Sequence, residues 1–346
     1  MKFFNDFSKT SKGVENCVTT IDSHTEGETT RLIVNGLEEI KGKTMMDKLD
    51  WFKSRYDHIR CLLTKEPRGS KEILAAVLTE NVTPTAKFGL IYMDAKRYPY
   101  LCGHATIGAI VTLARTGFLS LSQGENLVLV DTPSGPMEAR VSVHGDKLNA
   151  VAINMVPSFV YDTGQKIEVQ GFGTIKVDLV CTGGFFAMVD STQIPMEPVL
   201  ENKVFLTDLG MKIIDAANEQ ISVSHPVRPD VRTIDVTEFY DSKYDKGKAS
   251  GRGMVIYGES YVDRSPCGTG TAAKLTLLHH YGKIKMNQKY KNFSPLRTSF
   301  DAMIVKKEKI GSIDGFIVQI QGMAYLTGIH HFIIEDDDPF QKGFII

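Results

Sequence analysis

The feature that most constrains the fold of this chain is a segment that recurs at an offset of 165 positions. Cys102-Gly103-His104-Ala105-Thr106 aligns with Cys267-Gly268-Thr269-Gly270-Thr271, and the same offset aligns Gly117 with Gly282. In both copies, small and hydroxyl residues precede apolar residues at helical spacing, which is typical of a helix N-terminus, and a glycine follows where such a helix ends. The repeat predicts two similar halves, each with a cysteine at a helix start, that face each other across a pseudo-two-fold cleft.

Composition narrows the class of protein. The chain of 346 residues is 42% hydrophobic and 23% charged, which is typical of a soluble globular protein with one large or two medium domains. Its formal net charge of −1 gives no general attraction to nucleic acid, and no run of 18 apolar residues predicts a membrane span. Five cysteines, none in a CxxC pair, favour a reducing compartment. The N-terminus has no signal-peptide pattern, so we expect a cytoplasmic protein.

Periodicity predicts a mixture of helices and strands. Helices are expected from Thr44, as N-cap, to about His58, from Gly103 to Arg115, from Leu206 to Ala217, and after Cys267. Most of the remaining apolar runs read as strands, and the apolar tail from Ala324 to Ile334 is expected to close a sheet.

Three polar segments are predicted to connect these strands. Ser23 to Thr29 reads as a loop, more readily a solvated turn than part of a site. Asn35-Gly36 and Asp314-Gly315 read as hairpin turns.

No low-complexity linker separates the halves. We predict an N-terminal domain at 1–123 that carries Cys102 and is completed by 325–346, and a second domain at 124–324 that carries Cys267.

Two cysteines at facing helix starts predict acid and base chemistry at a carbon atom. The free amides and positive end of a helix bind a carboxylate, and the same field lowers the pKa of a thiol from about 8.5 toward neutrality. One thiolate can then remove an α-proton while the other thiol protonates the opposite face. Each sulfur must lie within about 3 to 3.5 Å of the carbon, so the sulfurs should be about 7 Å apart, much farther than in a disulfide.

The nitrogen of an amino-acid substrate also needs a partner. Asp263 can accept from an ammonium and His104 can orient or share a proton, although a helix-terminal charge and a packed histidine are equally good interpretations of the two residues. No pyridoxal lysine site, nucleotide loop or metal-ligand spacing is recognisable, so no cofactor and no metal are expected.

These motifs resemble the proline racemase family. The resemblance rests on Asp263 to Thr271, Cys102-Gly103-His104 and Asp22 to Glu28, and it extends through Pro67-Arg68-Gly69, Asp131-Thr132-Pro133, Gly184-Phe185-Phe186-Ala187 and His330-His331-Phe332. It implies an α+β fold of the diaminopimelate-epimerase-like type, with two pseudo-symmetric α/β domains and the active site in the cleft between them. It also implies cofactor-independent inversion at the α-carbon of proline or hydroxyproline.

The resemblance assigns roles position by position. Cys102 and Cys267 match the acid/base pair, and Asp263 with His104 matches the contact to the ring nitrogen. The carboxylate-binding backbone is matched by Gly103, His104, Gly268 and Thr269. The implied partner is a small-molecule substrate, and a homodimer is the assembly considered.

The subfamily is harder to assign. Related trans-3-hydroxyproline dehydratases carry threonine at the position of Cys267, which argues against dehydration. Val255-Ile256-Tyr257-Gly258 is similar to the racemase pattern Val-Ile-Phe-Gly, so proline racemase is preferred. Tyr257 and Leu74 replace two phenylalanines of the family's ring pocket. A hydroxyl at Tyr257 and extra room at Leu74 could admit a hydroxylated substrate, so 4-hydroxyproline 2-epimerase is the alternative. The Tyr257 phenol either enters the pocket or points into solvent. A thiol redox protein and an imino-acid binding module are alternatives from other classes.

Overall fold

In the computed structural model, residues 17–245, 248–258 and 260–345 are described, and they form an α+β protein as expected. The helices are α1 (Met45–Thr64), α2 (Gly103–Arg115), α3 (Lys203–Gln220) and α4 (Gly268–His280), with 3-10 turns at Ser191–Gln193 and Leu200–Asn202. The strands of the first part are β1 (Cys17–Thr25), β2 (Glu28–Asn35), β3 (Ala75–Thr79), β4 (Phe88–Met93), β5 (Gly124–Thr132), β6 (Gly135–His144) and β7 (Lys147–Asn154). They are followed by β8 (Ser158–Val169), β9 (Gly173–Thr182), β10 (Gly184–Asp190), β11 (Ile234–Tyr240), β12 (Lys243–Asp245), β13 (Lys248–Tyr257), β14 (Tyr261–Val262), β15 (Tyr290–Phe293), β16 (Ser299–Ile310), β17 (Ile313–Gly322) and β18 (Ala324–Ile333).

The first half wraps its strands around α2. β1 pairs antiparallel with β2 on one side and with the C-terminal β18 on the other. The sheet continues through β3, β4, β5, β6 and β7, and β7 pairs with β17. α2 contacts β1, β2, β7 and β18. The tail therefore joins a sheet as expected, while the division into two domains at residue 123 stays a prediction.

The second half forms a closed ring of strands around α4. Pairing runs through β8, β9, β10, β11, β13, β15, β16 and β17, and the Phe316–Ser158 pair between β17 and β8 closes the ring. α4 contacts β8, β9, β10, β13, β16 and β17, so it occupies the interior of this ring. A helix in such a position is buried on almost every side, which explains the mostly apolar run Ala272 to Leu278, with the buried Lys274 and Thr276 as its exceptions.

The predicted repeat is confirmed by the two central helices. α2 and α4 each have 13 residues and begin at the glycine after the cysteine. Gly117 and Gly282, two residues beyond the helix ends, have φ angles of +83° and +69°. Glycine adopts this left-handed conformation without the steric cost that a Cβ brings, so it ends both helices in the same way. Side chains of both helices belong to one central hydrophobic core.

The three connecting segments differ from the predictions. The turn between β1 and β2 is only Glu26-Gly27, so most of the predicted loop at Ser23 to Thr29 is strand. The β16–β17 turn lies at Gly311-Ser312 rather than at Asp314-Gly315, and Asn35-Gly36 leaves β2 without forming a hairpin. The loop prediction for Ser23 to Thr29 was based on polar composition. It was wrong because these residues are buried by contacts with residues distant in sequence.

The outer helices cover the two halves. α1 packs on β3 and β4, and α3 packs on β8 and β11. Within the described residues, no helix is both long enough and apolar enough to cross a membrane.

The N-terminus of α1 offers a test of the local helix signal. Thr44 Oγ1 accepts from the Asp47 amide at 3.1 Å, and Asp47 Oδ2 accepts from the Thr44 amide at 2.9 Å, which is a complete capping box. Thr44→Ala should lower the free energy of unfolding by about 1 kcal/mol in urea denaturation, because the Asp47 amide loses its acceptor. The same change at exposed Thr85 is the control. Equal stabilities of the two variants would contradict the capping role.

Candidate active site

Each of the two cysteines predicted from the repeat is the N-cap of a central helix. Cys102 precedes α2, is half-buried, and has an extended backbone with φ −146° and ψ 110°. Its Sγ lies 3.3 Å from His104 Nδ1. Cys267 precedes α4 and is 7% exposed. Its Sγ accepts from the Gly270 amide at 3.3 Å and lies 3.4 Å from Thr269 Oγ1. In both copies the side chain two residues beyond the cysteine thus contacts the sulfur.

The two helix starts converge on the same pair of side chains. A Cβ built on Gly103 lies 3.2 Å from Met155 Sδ and 3.5 Å from Ile320 Cδ1. A Cβ built on Gly268 lies 3.0 Å from Ile320 Cδ1 and 3.2 Å from Met155 Cε. Since both glycines contact Met155 and Ile320, the first turns of α2 and α4 face each other across these two residues. The structure therefore brings Gly103, His104, Gly268 and Thr269 to one place.

The surroundings of His104, beside the Cys102 sulfur, favour the charged form of its ring. Its side chain is buried, and burial alone lowers the pKa of an imidazole. Against this, the Cys102 sulfur, its hydrogen bond to the ring, and the carboxylates of Glu28 and Asp263 together raise the pKa of His104 to about 9. An imidazolium in this position stabilises negative charge on the Cys102 sulfur.

Cys267 has the opposite electrostatic environment. Burial raises the pKa of its thiol well above the usual range, and the nearby carboxylates of Asp263 and Glu238 act in the same direction. Thr269 and the Gly270 amide oppose the shift but do not reverse it. The expectation that a helix N-terminus lowers the thiol pKa is therefore wrong for Cys267, because desolvation of the thiolate outweighs the field of the helix.

Asp263 lies in the same buried region. Its Oδ1 accepts from the Ser265 amide at 2.8 Å and from Ser265 Oγ at 2.7 Å. Burial and the Glu28 carboxylate raise the pKa of Asp263, and His104 opposes this shift. Asp263 and His104, the two residues predicted to meet the substrate nitrogen, therefore interact electrostatically across the two halves.

Glu28 is a buried charge of this site that sequence analysis missed. It is 3% exposed, and its carboxylate accepts from the Arg264 amide at 2.8 Å, from Arg264 Nε at 3.2 Å and from Nη2 at 2.8 Å. This pair joins the start of β2 to the segment before Cys267. The segment Asp22 to Glu28 belonged to the family resemblance, and this was the one indication that it was more than a solvated turn.

The two residues predicted to line the pocket are both placed near the central core. The Tyr257 ring packs on Tyr261 at a centroid distance of 5.7 Å, and burial raises the pKa of its phenol well above the usual range. Glu28, Asp263, Cys102 and Cys267 all add to this shift, so the phenol faces the site and not solvent. Leu74 is buried in the hydrophobic cluster that contains Cys267 and on which Tyr257 packs.

All five cysteines are free thiols. Among the described residues, no group of three or more His, Cys, Asp or Glu side chains is arranged to hold a metal ion. Two surface cavities, of about 420 and 520 Å³, are lined by other parts of the chain, the first by β2, β3 and Phe118 and the second by α1 and Ile334.

Glu28 also gives a test of how the site is held together. Glu28→Gln keeps the side-chain shape but removes the charge that neutralises Arg264. We expect the free energy of unfolding to fall by about 1.5 to 3 kcal/mol, the usual contribution of hydrogen bonds to a charged group. The matched control is Glu308→Gln, which removes a carboxylate from a more exposed pair with Lys306. Urea denaturation with equal losses for both variants would contradict a structural role for the Glu28–Arg264 pair.

Comparison with known proteins shows which family the chain resembles in sequence and in structure. The sequence profile of the family described as "Proline racemase" matches residues 20–345. The chain is 37% identical over 329 residues to the proline racemase of Clostridioides difficile, covering 95% of the chain and 98% of that protein. It is 33% identical over 328 residues to the 4-hydroxyproline 2-epimerase of Streptosporangium roseum, covering 94% and 97%. Among solved structures, a hydroxyproline epimerase from Agrobacterium vitis with bound trans-4-hydroxy-L-proline superposes with a TM-score of 0.86 at 27% identity, covering 96% of each chain.

Proposed function

The chain belongs to the proline racemase family and is an isomerase, and we propose that it racemises free proline by two-base proton transfer between the Cys102 and Cys267 sulfurs. The observation that supports this proposal most strongly is the convergence of the two cysteine-capped helix starts on Met155 and Ile320. We infer that a substrate α-carbon held beside these two helix starts would have one sulfur on each side. Inversion of a stereocentre requires this arrangement, because the proton must leave one face and arrive at the other.

The protonation states proposed for the two sulfurs differ. The His104 imidazolium supports a thiolate at Cys102, while burial keeps Cys267 as a thiol. In one direction the Cys102 thiolate takes the α-proton and the Cys267 thiol gives its proton to the opposite face. The product then leaves Cys102 as thiol and Cys267 as thiolate, so the reverse reaction starts from this second state. The two sulfurs hold one transferable proton between them in either state.

The remaining site residues would bind and orient the substrate. The amides at the start of α2 and α4 are the proposed donors to the substrate carboxylate, since the first amides of a helix lack intrahelical partners. Asp263 is the proposed acceptor for the ring ammonium, and its carboxylate also offsets the charge of the neighbouring His104 ring. In an enclosed site these contacts are stronger than in water and competing water is excluded.

Epimerisation of 4-hydroxyproline is the second candidate. The observation that favours it is the Tyr257 phenol, which faces the site and can hydrogen-bond a substrate hydroxyl. The homologue from S. roseum and the structure from A. vitis carry that activity in their names. The higher identity to the C. difficile proline racemase supports proline as the first choice.

The direct test is incubation with L-proline and, separately, trans-4-hydroxy-L-proline, with the products resolved by chiral chromatography. We expect D-proline to form until the enantiomers are equal. Cys102→Ser and Cys267→Ser should each lower kcat by at least about 100-fold, because a hydroxyl is a far weaker acid than a thiol. Cys17→Ser, at the start of β1, is the matched control. Conversion of hydroxyproline alone would assign the epimerase. Full activity of either catalytic-site variant would contradict the two-base mechanism.

A thiol redox protein makes a different prediction for the same cysteines. It requires a reversible Cys102–Cys267 disulfide, which peptide mapping under non-reducing conditions detects after mild oxidation. An imino-acid binding module predicts tight proline binding with no change of configuration.

If the His104 ring is charged, the alkylation rate of Cys102, and not that of Cys267, should depend on the protonation of His104. Below about pH 9 the ring is charged and supports the thiolate, so Cys102 should react with iodoacetamide at pH 7. His104→Gln should slow this alkylation severalfold at pH 7, and the difference should vanish above about pH 9, where the wild-type ring is neutral. Mass spectrometry of the alkylated peptides gives the rate at each cysteine, with Cys267 as the internal control. Equal Cys102 rates at pH 7 in both proteins would contradict the ion pair.

A further inference from the structure

The backbone at Cys267 is strained, whereas the backbone at Cys102 is not. Cys267 has φ 57° and ψ 119°, a conformation that residues with a Cβ rarely adopt. Cys102 has φ −146°, which is ordinary extended backbone. A strained residue of this kind persists only where its surroundings hold it. The start of α4 therefore needs support that the start of α2 does not.

The Pro266 carbonyl, which belongs to the peptide unit preceding Cys267, is held by two side chains. Asn292 Nδ2 donates to Pro266 O at 3.0 Å, and Thr271 Oγ1 donates to the same oxygen at 3.0 Å. Asn292 Nδ2 also donates to Thr271 Oγ1 at 2.7 Å. Fixing the orientation of this peptide plane limits the φ angle that Cys267 can adopt. Asn292 and Thr271 are fully buried, so water does not compete for these bonds.

The orientation of Asn292 is set in turn by Lys274, a fully buried lysine inside the central core. Lys274 Nζ donates to Asn292 Oδ1 at 2.8 Å. An ammonium can only donate, so it selects the oxygen end of the amide and directs the NH₂ end toward Pro266. Glu238, also fully buried, lies 3.3 Å from Lys274 Nζ and neutralises it. A buried ammonium without such a partner costs several kcal/mol.

The internal repeat shows that this arrangement belongs to one half only. At the offset of 165 positions, Ala109 corresponds to Lys274 and Ala105 corresponds to Gly270. A Cβ at Gly270 would lie 2.7 Å from Glu238 Oε2, so glycine here leaves room for the carboxylate. The half with the unstrained cysteine thus has alanine at both places.

We propose that Lys274 is a positioning residue for Cys267, which acts through Asn292 to hold the Pro266 carbonyl and so keeps the Cys267 sulfur aimed at the substrate carbon. This proposal rests on the proposed function in that Cys267 is the second acid/base group. The mechanism itself does not use Lys274, whose ammonium contacts neither sulfur directly among the described hydrogen bonds and ion pairs. Its effect is on geometry.

We call the hydrogen bonds from Lys274 to Asn292 and from Asn292 to the Pro266 carbonyl the brace. The test removes this brace without leaving a buried charge unpaired. The double variant Lys274→Met with Glu238→Gln keeps the volumes of both side chains and makes the pair neutral. We expect kcat for proline to fall at least tenfold with KM within twofold of wild type. We also expect the iodoacetamide rate at Cys267 to rise at least threefold above that of Glu238→Gln alone, because the relaxed loop exposes the sulfur. This single variant is the baseline, since it already lacks the carboxylate that raises the pKa of Cys267 but keeps Lys274 and Asn292. The rate at Cys102 should stay within twofold.

A second variant removes the other hydrogen bond of the brace, the one from Asn292 to the Pro266 carbonyl. Asn292→Asp with Glu238→Gln keeps one carboxylate beside Lys274 but replaces the NH₂ donor that faces Pro266. It should show the same loss of kcat and the same selective rise at Cys267. The matched control is Thr276→Val, because Thr276 lies on α4, is fully buried, and its hydroxyl has no hydrogen-bond partner among the described residues. Circular dichroism and thermal melting establish that each variant is folded.

The outcomes separate this proposal from the proposed function. If the folded variants keep wild-type kcat and wild-type Cys267 alkylation, or if Thr276→Val loses as much as they do, the positioning role of Lys274 is overturned. If the wild-type protein inverts neither proline nor hydroxyproline, the proposed function fails. The selective change at Cys267 still decides in that case whether Lys274 and Asn292 position the sulfur.

Discussion

The structure depends on the close approach of two helix N-termini across Met155 and Ile320. This approach is possible because Gly103 and Gly268 lack side chains, so the two first turns contact the same side chains from opposite directions. The strands of each half surround one of these helices, and β17, which carries Ile320, pairs with β7 from the first half and with β8 and β16 from the second. Packing at this junction therefore fixes the relation between the two cysteines, and the sheets hold the helices in register with it.

Charged side chains are buried at this junction, and each is stabilised by a neighbour of opposite charge. Glu28 is neutralised by Arg264 and Glu238 by Lys274, while His104 lies between Asp263, Glu28 and the Cys102 sulfur. The result is two cysteines that are similar in sequence but different in chemistry. Cys102 is accompanied by an imidazolium, and Cys267 is a desolvated thiol on a strained backbone. A reversible proton transfer needs one base and one acid at a time, and this asymmetry supplies them without a change of fold.

Much of this architecture could be predicted from the sequence because it is encoded locally. The cysteine, glycine and apolar pattern located α2 and α4 and their terminal glycines, and Thr44 located the start of α1. The features that escaped prediction depend on distant partners. Glu28 reads as a loop residue until Arg264, 236 positions away, neutralises it. The burial of Lys274 between Glu238 and Asn292 and the raised pKa of Cys267 also depend on contacts that no local sequence pattern reveals. The α+β fold and the family were within reach of sequence analysis, whereas the charge balance of the site required the structure.

The most direct test of the account is a crystal structure with pyrrole-2-carboxylate, a ring acid whose planar C2 resembles the flattened α-carbon of proline during proton transfer. We expect the Cys102 and Cys267 sulfurs on opposite faces of C2, each within about 3 to 3.5 Å. We also expect the carboxylate on the amides that begin α2 or α4. An analogue bound with only one sulfur near C2, or bound outside this junction, would contradict the central claim that the two helix starts act on a single carbon.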